Sequence, residues 1–291
     1  PRPARLHAGA RREYSVPNML LTLAASCLKS KLTAAKSAGD SLHLTDLPRY
    51  ARETLGLFGL NISTDLLAGA DHKVLDKLRD AADKASCPCL VLIESAPLTF
   101  GSDDEAKAEA AAERMRRVIQ AAHRLGCNAT AVAVGDDTSP TALQNAADRI
   151  KKLLHGADRM ELNLLVMSNN GLTKDPDKLT ELIKKIGGFR IGTFPDFERA
   201  SKAADPSHYL RRLTPYASAL SASTVGFKDA PGEPGFVHTP YDLVEMAKTV
   251  VSVGYQGTLA IDYRGTGDPV VGIERTRIAL TAALGKEIEP E

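Results

Sequence analysis

Eight short apolar runs, beginning near Leu20, Leu57, Cys89, Ala129, Leu162, Arg190, Ser218 and Thr258, recur about 34 residues apart and alternate with stretches of helical period. Strands that read as continuous apolar runs are buried on both faces, the situation of parallel strands joined by crossover helices. Eight such units in 291 residues predict an α/β fold, a single (β/α)8 barrel. An open doubly wound sheet is the alternative. It normally carries a GxGxxG turn after its first strand, and here Cys27-Leu28-Lys29-Ser30-Lys31 follows instead.

The intervening helices carry their own boundary signals. Asp71 can cap a helix through Val74, Leu75, Leu78 and Ala82, and the segment Asp104 to Leu125 stops at Gly126. Asp175-Pro176, Thr239-Pro240 and Asp268-Pro269 each put a proline where a first turn tolerates it. Residues 1–18, with Arg2, Arg5, Arg11 and Arg12 against Glu13 alone, read as a flexible basic tail, and 19–291 as the barrel. That start also imitates a signal peptide, but the run from Leu20 to Ala25 is needed as the first strand.

Composition removes several classes of function. Thirty-seven basic residues against 36 acidic leave a formal charge of +1, too little to select nucleic acid, and no apolar run is long enough to span a membrane. Cys27, Cys87, Cys89 and Cys127 form no paired CxxC knuckles, so structural thiols and a cytoplasmic location are expected. Homo-oligomerisation stays open.

In a barrel of this kind the reacting groups follow the apolar runs. Those positions are Glu94, Asp136 and Asp137, Ser168, Asn169 and Asn170, Asp196, Ser221 and Ser223, and Asp262. Asp196 and Asp262 directly close strong apolar runs, where a carboxylate can act as acid or base, bind a hard cation or cap a helix. The loop Asp229 to Gly235 follows the seventh strand and suits either a lid or a plain turn.

Three stretches resemble the sugar phosphate isomerase/epimerase family, the xylose-isomerase-like TIM barrels related to endonuclease IV. They are Asn163-Leu164-Leu165-Val166-Met167-Ser168-Asn169-Asn170-Gly171, Ile191-Gly192-Thr193-Phe194-Pro195-Asp196-Phe197 and Gly254 to Tyr263 with Gly267-Asp268-Pro269 after it. The resemblance implies a divalent metal held by Glu, Asp, His and Glu at the ends of strands five to eight. Here those positions read Ser168, Asp196, Ser221 and Asp262. The expected cofactor is therefore none, or a weakly held Mg²⁺ or Mn²⁺ on Asp196 and Asp262.

Two functions follow as expectations. One is a divergent isomerase or epimerase acting on a sugar, polyol, keto-sugar or sugar phosphate, with Asp196, Asp262 and Glu94 catalytic. Ser168, Asn169, Asn170, Ser221 and Asp136 would hold hydroxyls, and Lys228, Arg264 or His238 would meet an anionic group. The other is a carbohydrate-binding or scaffold barrel without catalysis. Cleavage of abasic DNA would need a His-rich metal cluster, and six of the seven His fall in the tail, loops or helices.

Overall fold

Among the described residues ten strands are formed: β1 Leu20–Ala24, β2 Leu60–Ser63, β3 Cys89–Ile93, β4 Ala129–Ala133, β5 Asn163–Met167, β6 Ile191–Phe194, β7 Ala219–Thr224, β8 Gly226–Asp229, β9 Phe236–Thr239 and β10 Thr258–Tyr263. The computed structural model describes residues 19–33, 42–135 and 137–285. The expected tail, 1–18, and Asp136 lie outside the described residues. Eight strands form one sheet in the order β6-β5-β4-β3-β2-β1-β10-β7, every neighbouring pair parallel. The ends of that order meet through two isolated parallel bridges, Thr193–Ala217 and Asp196–Ser221, and the Ser221 N–H donates to the Pro195 carbonyl at 2.9 Å. The expected (β/α)8 barrel is formed.

The helices are α1 Lys29–Thr33, α2 Leu47–Arg49, α3 His72–Lys84, α4 Glu105–Leu125, α5 Ala142–Arg159, α6 Pro176–Ile186, α7 Phe197–Ser201, α8 Pro206–Leu213, α9 Leu243–Ser252 and α10 Pro269–Ala283. Asp71, Asp104, Asp175 and Asp268 cap α3, α4, α6 and α10 as their sequence positions predict. Gly126 ends α4 at φ +76°, a conformation that suits glycine. Along α4, Ala108, Ala111, Ala112, Met115, Val118, Ile119, Ala122 and Leu125 fall on one buried stripe. Each large member of such a stripe contributes about 1.5–3 kcal/mol when withdrawn from water.

Side chains alternate between two interiors. Val91 and Ile93, Ala129 and Ala131, and Leu165 and Met167 form a small cluster with Phe194 and Ala219 inside the barrel. Leu92, Val132, Leu164 and Val166 face the other way and join the large core beneath the helices.

One local expectation is refined and one corrected. The expected loop after the seventh strand is the tip of an antiparallel hairpin, β8–β9, turned by Gly232 and Gly235 at φ +85° and +83° and pinned by an edge-on Phe227–Phe236 contact at 5.5 Å. The helix expected from Thr239-Pro240 starts at Leu243, because Asp242 accepts from the Glu245 N–H and supplies the better cap. Among the described residues no helix is long and apolar enough to cross a membrane.

Candidate functional site

At the C-terminal ends of the strands a cavity of about 390 Å³ opens. Its polar wall is Asn61, Ser63 and Asp65 from β2 and its following loop, Glu94 and Ser95 after β3, Ser221 on β7, and Asp262 and Arg264 at the end of β10. Its apolar wall is Ala24, Ile93, Met167, Phe194 and Ala260.

The strongest charge in the mouth is spent on its own neighbours. Arg264 Nη2 lies 2.5 Å from Asp196 Oδ2 and 2.5 Å from Asp262 Oδ2, Nε donates to Asp262 Oδ2 at 3.0 Å, and Nη1 donates to Glu198 Oε2 at 2.7 Å and to Asp196 Oδ1 at 3.5 Å. All five guanidinium N–H groups are thus accounted for. Burial alone would lower the Arg264 pKa, but Asp196 and Asp262, with Glu198, push it well above its ordinary value. At any accessible pH this is a fixed cation. Glu198, which Lys202 also holds at 2.5 Å, has a carboxyl that burial would raise, yet those two cations bring it below the usual range.

Across the cavity, Glu94 is buried and bound by Arg114, whose Nη2 and Nε approach Oε2 at 2.8 and 2.9 Å. The Thr64 hydroxyl donates to the same oxygen at 3.3 Å. Between these two charged walls sits Asn61, 1% exposed, with neither the oxygen nor the nitrogen of its amide hydrogen-bonded. A buried amide left unpaired costs free energy, so such a group facing a cavity marks the place of a ligand or water.

A family profile described as xylose isomerase-like TIM barrel matches residues 53–283. The chain belongs to this family. A comparison with curated proteins gives no match. Among solved structures, an L-ribulose 3-epimerase aligns with a TM-score of 0.72 at 14% identity, covering 91% of this chain and 95% of its own. A D-tagatose 3-epimerase-like protein aligns at 0.69 and 16%, covering 91% and 98%. A xylose isomerase-like TIM barrel protein from Mycobacterium smegmatis, in complex with magnesium, aligns at 0.63 and 17%, covering 93% and 99%.

The divalent ion that the xylose isomerase-like family implies does not fit the side chains present. Asp196 and Asp262 already hold a guanidinium. The Ser168 hydroxyl donates to the Thr173 carbonyl at 2.8 Å, and the Ser221 hydroxyl to Asp262 Oδ2 at 3.2 Å. Among the described residues no three His, Cys, Asp or Glu side chains are grouped to hold a metal.

Within this family fold the anticipated site residues separate into two sets. Asp262, Glu94, Ser221 and Arg264 share the cavity. Asp196 does not line it: Oδ1 caps α7 by accepting from the Arg199 N–H at 2.8 Å and from the Ser223 hydroxyl at 3.1 Å, and its other oxygen holds Arg264. Both of its oxygens are thus held within the structure. Ser168 and the buried Asn169 are drawn into the turn at Gly171–Thr173, where the Asn169 amide donates to the Val134 carbonyl at 3.0 Å, and Asn170 is exposed. Lys228 is exposed on the hairpin. Cys27 lies beneath Asp262, 3.7 Å from Oδ1, and burial, then Asp262, push its thiol up, so it stays protonated.

His238, on β9, likewise does not line the cavity. Its Nε2 accepts from the Val225 N–H at 3.0 Å, so Nδ1 carries the proton and donates to the Tyr241 carbonyl at 2.9 Å. Burial lowers its pKa below the ordinary 6.5, against a raising contribution from the Tyr241 carbonyl. Below that value the unfolded chain takes up a proton that the folded chain refuses, so stability falls as pH falls. Melting temperatures between about pH 8 and about pH 5.5 should drop more steeply for the native chain than for His238→Gln. Parallel profiles would mean the ring titrates freely.

Proposed function

We propose that the mouth binds a keto-sugar or polyol and moves a proton on the carbon beside its carbonyl, an isomerase- or epimerase-type reaction. The observation that carries this reading is the buried, unpartnered Asn61 amide on β2, the strand between β3, which delivers Glu94, and the β1–β10 pair, which delivers Asp262. A sugar hydroxyl or carbonyl satisfies both halves of an amide, donating to its oxygen and accepting from its nitrogen. Epimerisation needs one carboxylate to take the proton from one face and a carboxylic acid to deliver one to the other. Asp262 and Glu94 face the cavity from different walls and supply that pair. The Asn61 N–H donates to the carbonyl oxygen as charge develops there.

The ligand in this reading is unphosphorylated. Arg264, the one cation among the described residues lining the cavity, has no N–H to spare for a phosphate.

A specific observation favours a second reading, binding without turnover: Glu94 and Asp262 are each gripped by an arginine. Ketohexoses such as D-fructose, incubated with the protein in D₂O and followed by proton NMR, distinguish the two. Turnover shows as loss of the signal of the proton beside the carbonyl, slowed roughly 100-fold or more by Asp262→Asn or Glu94→Gln. Saturation transfer to the sugar without exchange, abolished by Asn61→Leu, supports binding alone. Neither exchange nor saturation transfer across a panel of ketoses and polyols removes both readings.

A further inference from the structure

We propose that Arg264 is the resident cation of the mouth, standing where the family fold implies an exchangeable divalent ion, so that the site is metal-independent. The inference does not depend on what the mouth binds or whether it turns over.

The geometry is that of a replaced ion rather than of a surface salt bridge. A single atom, Nη2, stands 2.5 Å from one oxygen of Asp196 on the β6 side and 2.5 Å from one of Asp262 on β10. It occupies the point between two strand-end carboxylates that a bound cation would take. The guanidinium then spreads to Glu198 at 2.7 Å, a third carboxylate that Asp196 helps to place by capping the helix on which Glu198 lies. A cation with five fixed donors matches three carboxylates in a way that a hydrated Mg²⁺ would have to match with waters.

Two further features stand beside the carboxylates themselves. The other two positions of the expected ligand set carry hydroxyls, Ser168 and Ser221, both committed to other acceptors, so a metal displacing Arg264 would gain nothing there. Asn61, 1% exposed and unpartnered, faces the same cavity and offers a neutral N–H to a ligand oxygen, the contact that a metal would otherwise make. The duties of a divalent ion are divided in this chain: Arg264 neutralises the carboxylates, and Asn61 is left to hold the ligand.

The residue after Arg264 is glycine, at a point of close backbone approach. A Cβ on Gly265 would stand 2.3 Å from both the Val225 carbonyl oxygen and the Tyr263 hydroxyl. The backbone packs there without a side chain.

The test is Mn²⁺ binding, read by electron paramagnetic resonance and calorimetry on the full chain stripped with chelator. The native chain should show no stoichiometric Mn²⁺ site, and its melting temperature should not respond to EDTA or to added Mg²⁺. Arg264→Ala, by removing the resident cation, should bind one Mn²⁺ at least 100-fold more tightly than the native chain and melt higher when it does. Adding Asp196→Asn to that variant should abolish the gain. If Arg264→Ala fails to fold without metal, recovery of its circular dichroism on adding Mn²⁺ supports the proposal. If no recovery occurs, Arg264→Met, which keeps the length and loses the charge, replaces it. Stoichiometric Mn²⁺ in the native chain overturns the proposal, as does a folded Arg264 variant that binds no more Mn²⁺ than the native chain.

Discussion

Gly192→Ala is expected to lower the stability of the folded chain by about 3 kcal/mol, the upper end for overpacking. A Cβ on Gly192 would stand 2.4 Å from the Tyr216 carbonyl oxygen and 3.2 Å from Leu165 Cδ2. The nearer atom is backbone, in the turn Thr214–Tyr216, and that turn is tied to β6 by the Thr193 hydroxyl, which donates to the Leu213 carbonyl at 2.8 Å. It cannot step aside as the tip of a flexible side chain would. Gly156→Ala serves as the control, because nothing lies within 4 Å of a Cβ there, in the interior of α5. Alanine is the better helix former, so that change should stabilise by about 0.5–1 kcal/mol. Denaturant midpoints with unchanged slopes would measure both, and equal midpoints for the two variants would contradict the close approach at Gly192.

Arg264→Met is expected to cost about 2–3 kcal/mol near neutral pH, with a melting temperature lower by roughly 5–10 °C. The range for an uncompensated buried charge is discounted because the Arg264 side chain is 35% exposed. Without it Asp196, Glu198 and Asp262 face one another, with Lys202 paired to Glu198. Crowded carboxylates hold protons more tightly in the folded chain than in the unfolded one, so the variant should regain stability as the pH falls toward about 5. The native chain should move the other way: Glu198, with its carboxyl held below the usual range, stabilises above its unfolded pKa, and that contribution disappears as acid protonates it. A melting temperature of the variant that falls with pH in parallel with the native chain would refute this account.

The strands were legible because parallel strands buried on both faces have no polar face to hide them in the sequence. Leu20–Ala24, Cys89–Ile93 and Thr258–Tyr263 begin at the residues where their apolar runs begin. The four aspartate caps on α3, α4, α6 and α10 are local signals and were legible for that reason. The hairpin β8–β9 was not, since its four-residue strands flank a Gly/Pro loop that reads equally well as a turn.

In the mouth, Asp262 and Glu94 could be anticipated from their place after apolar runs. What each one touches could not. Arg264 meets Asp196 across 68 positions of sequence and Glu198 across 66, and only barrel closure brings them together. Asn61 was missed because a single polar residue between Leu60 and Ile62 looks like a minor flaw in a strand. Its signal was there, a polar group inside an apolar run with no local partner to satisfy it.

The seam between β6 and β7 has a consequence for how the protein fails. The neighbouring β10–β7 and β5–β6 pairs run as ladders, whereas here two isolated bridges hold the sheet, one of them Asp196–Ser221. Local opening starts where the fewest backbone bonds must break. Of the two residues in that bridge, Asp196 holds Arg264 and Ser221 lines the cavity, so opening there loosens the mouth while most of the barrel is still wound. Heat should therefore loosen the mouth before it unfolds the barrel, because the seam gives way before the core does.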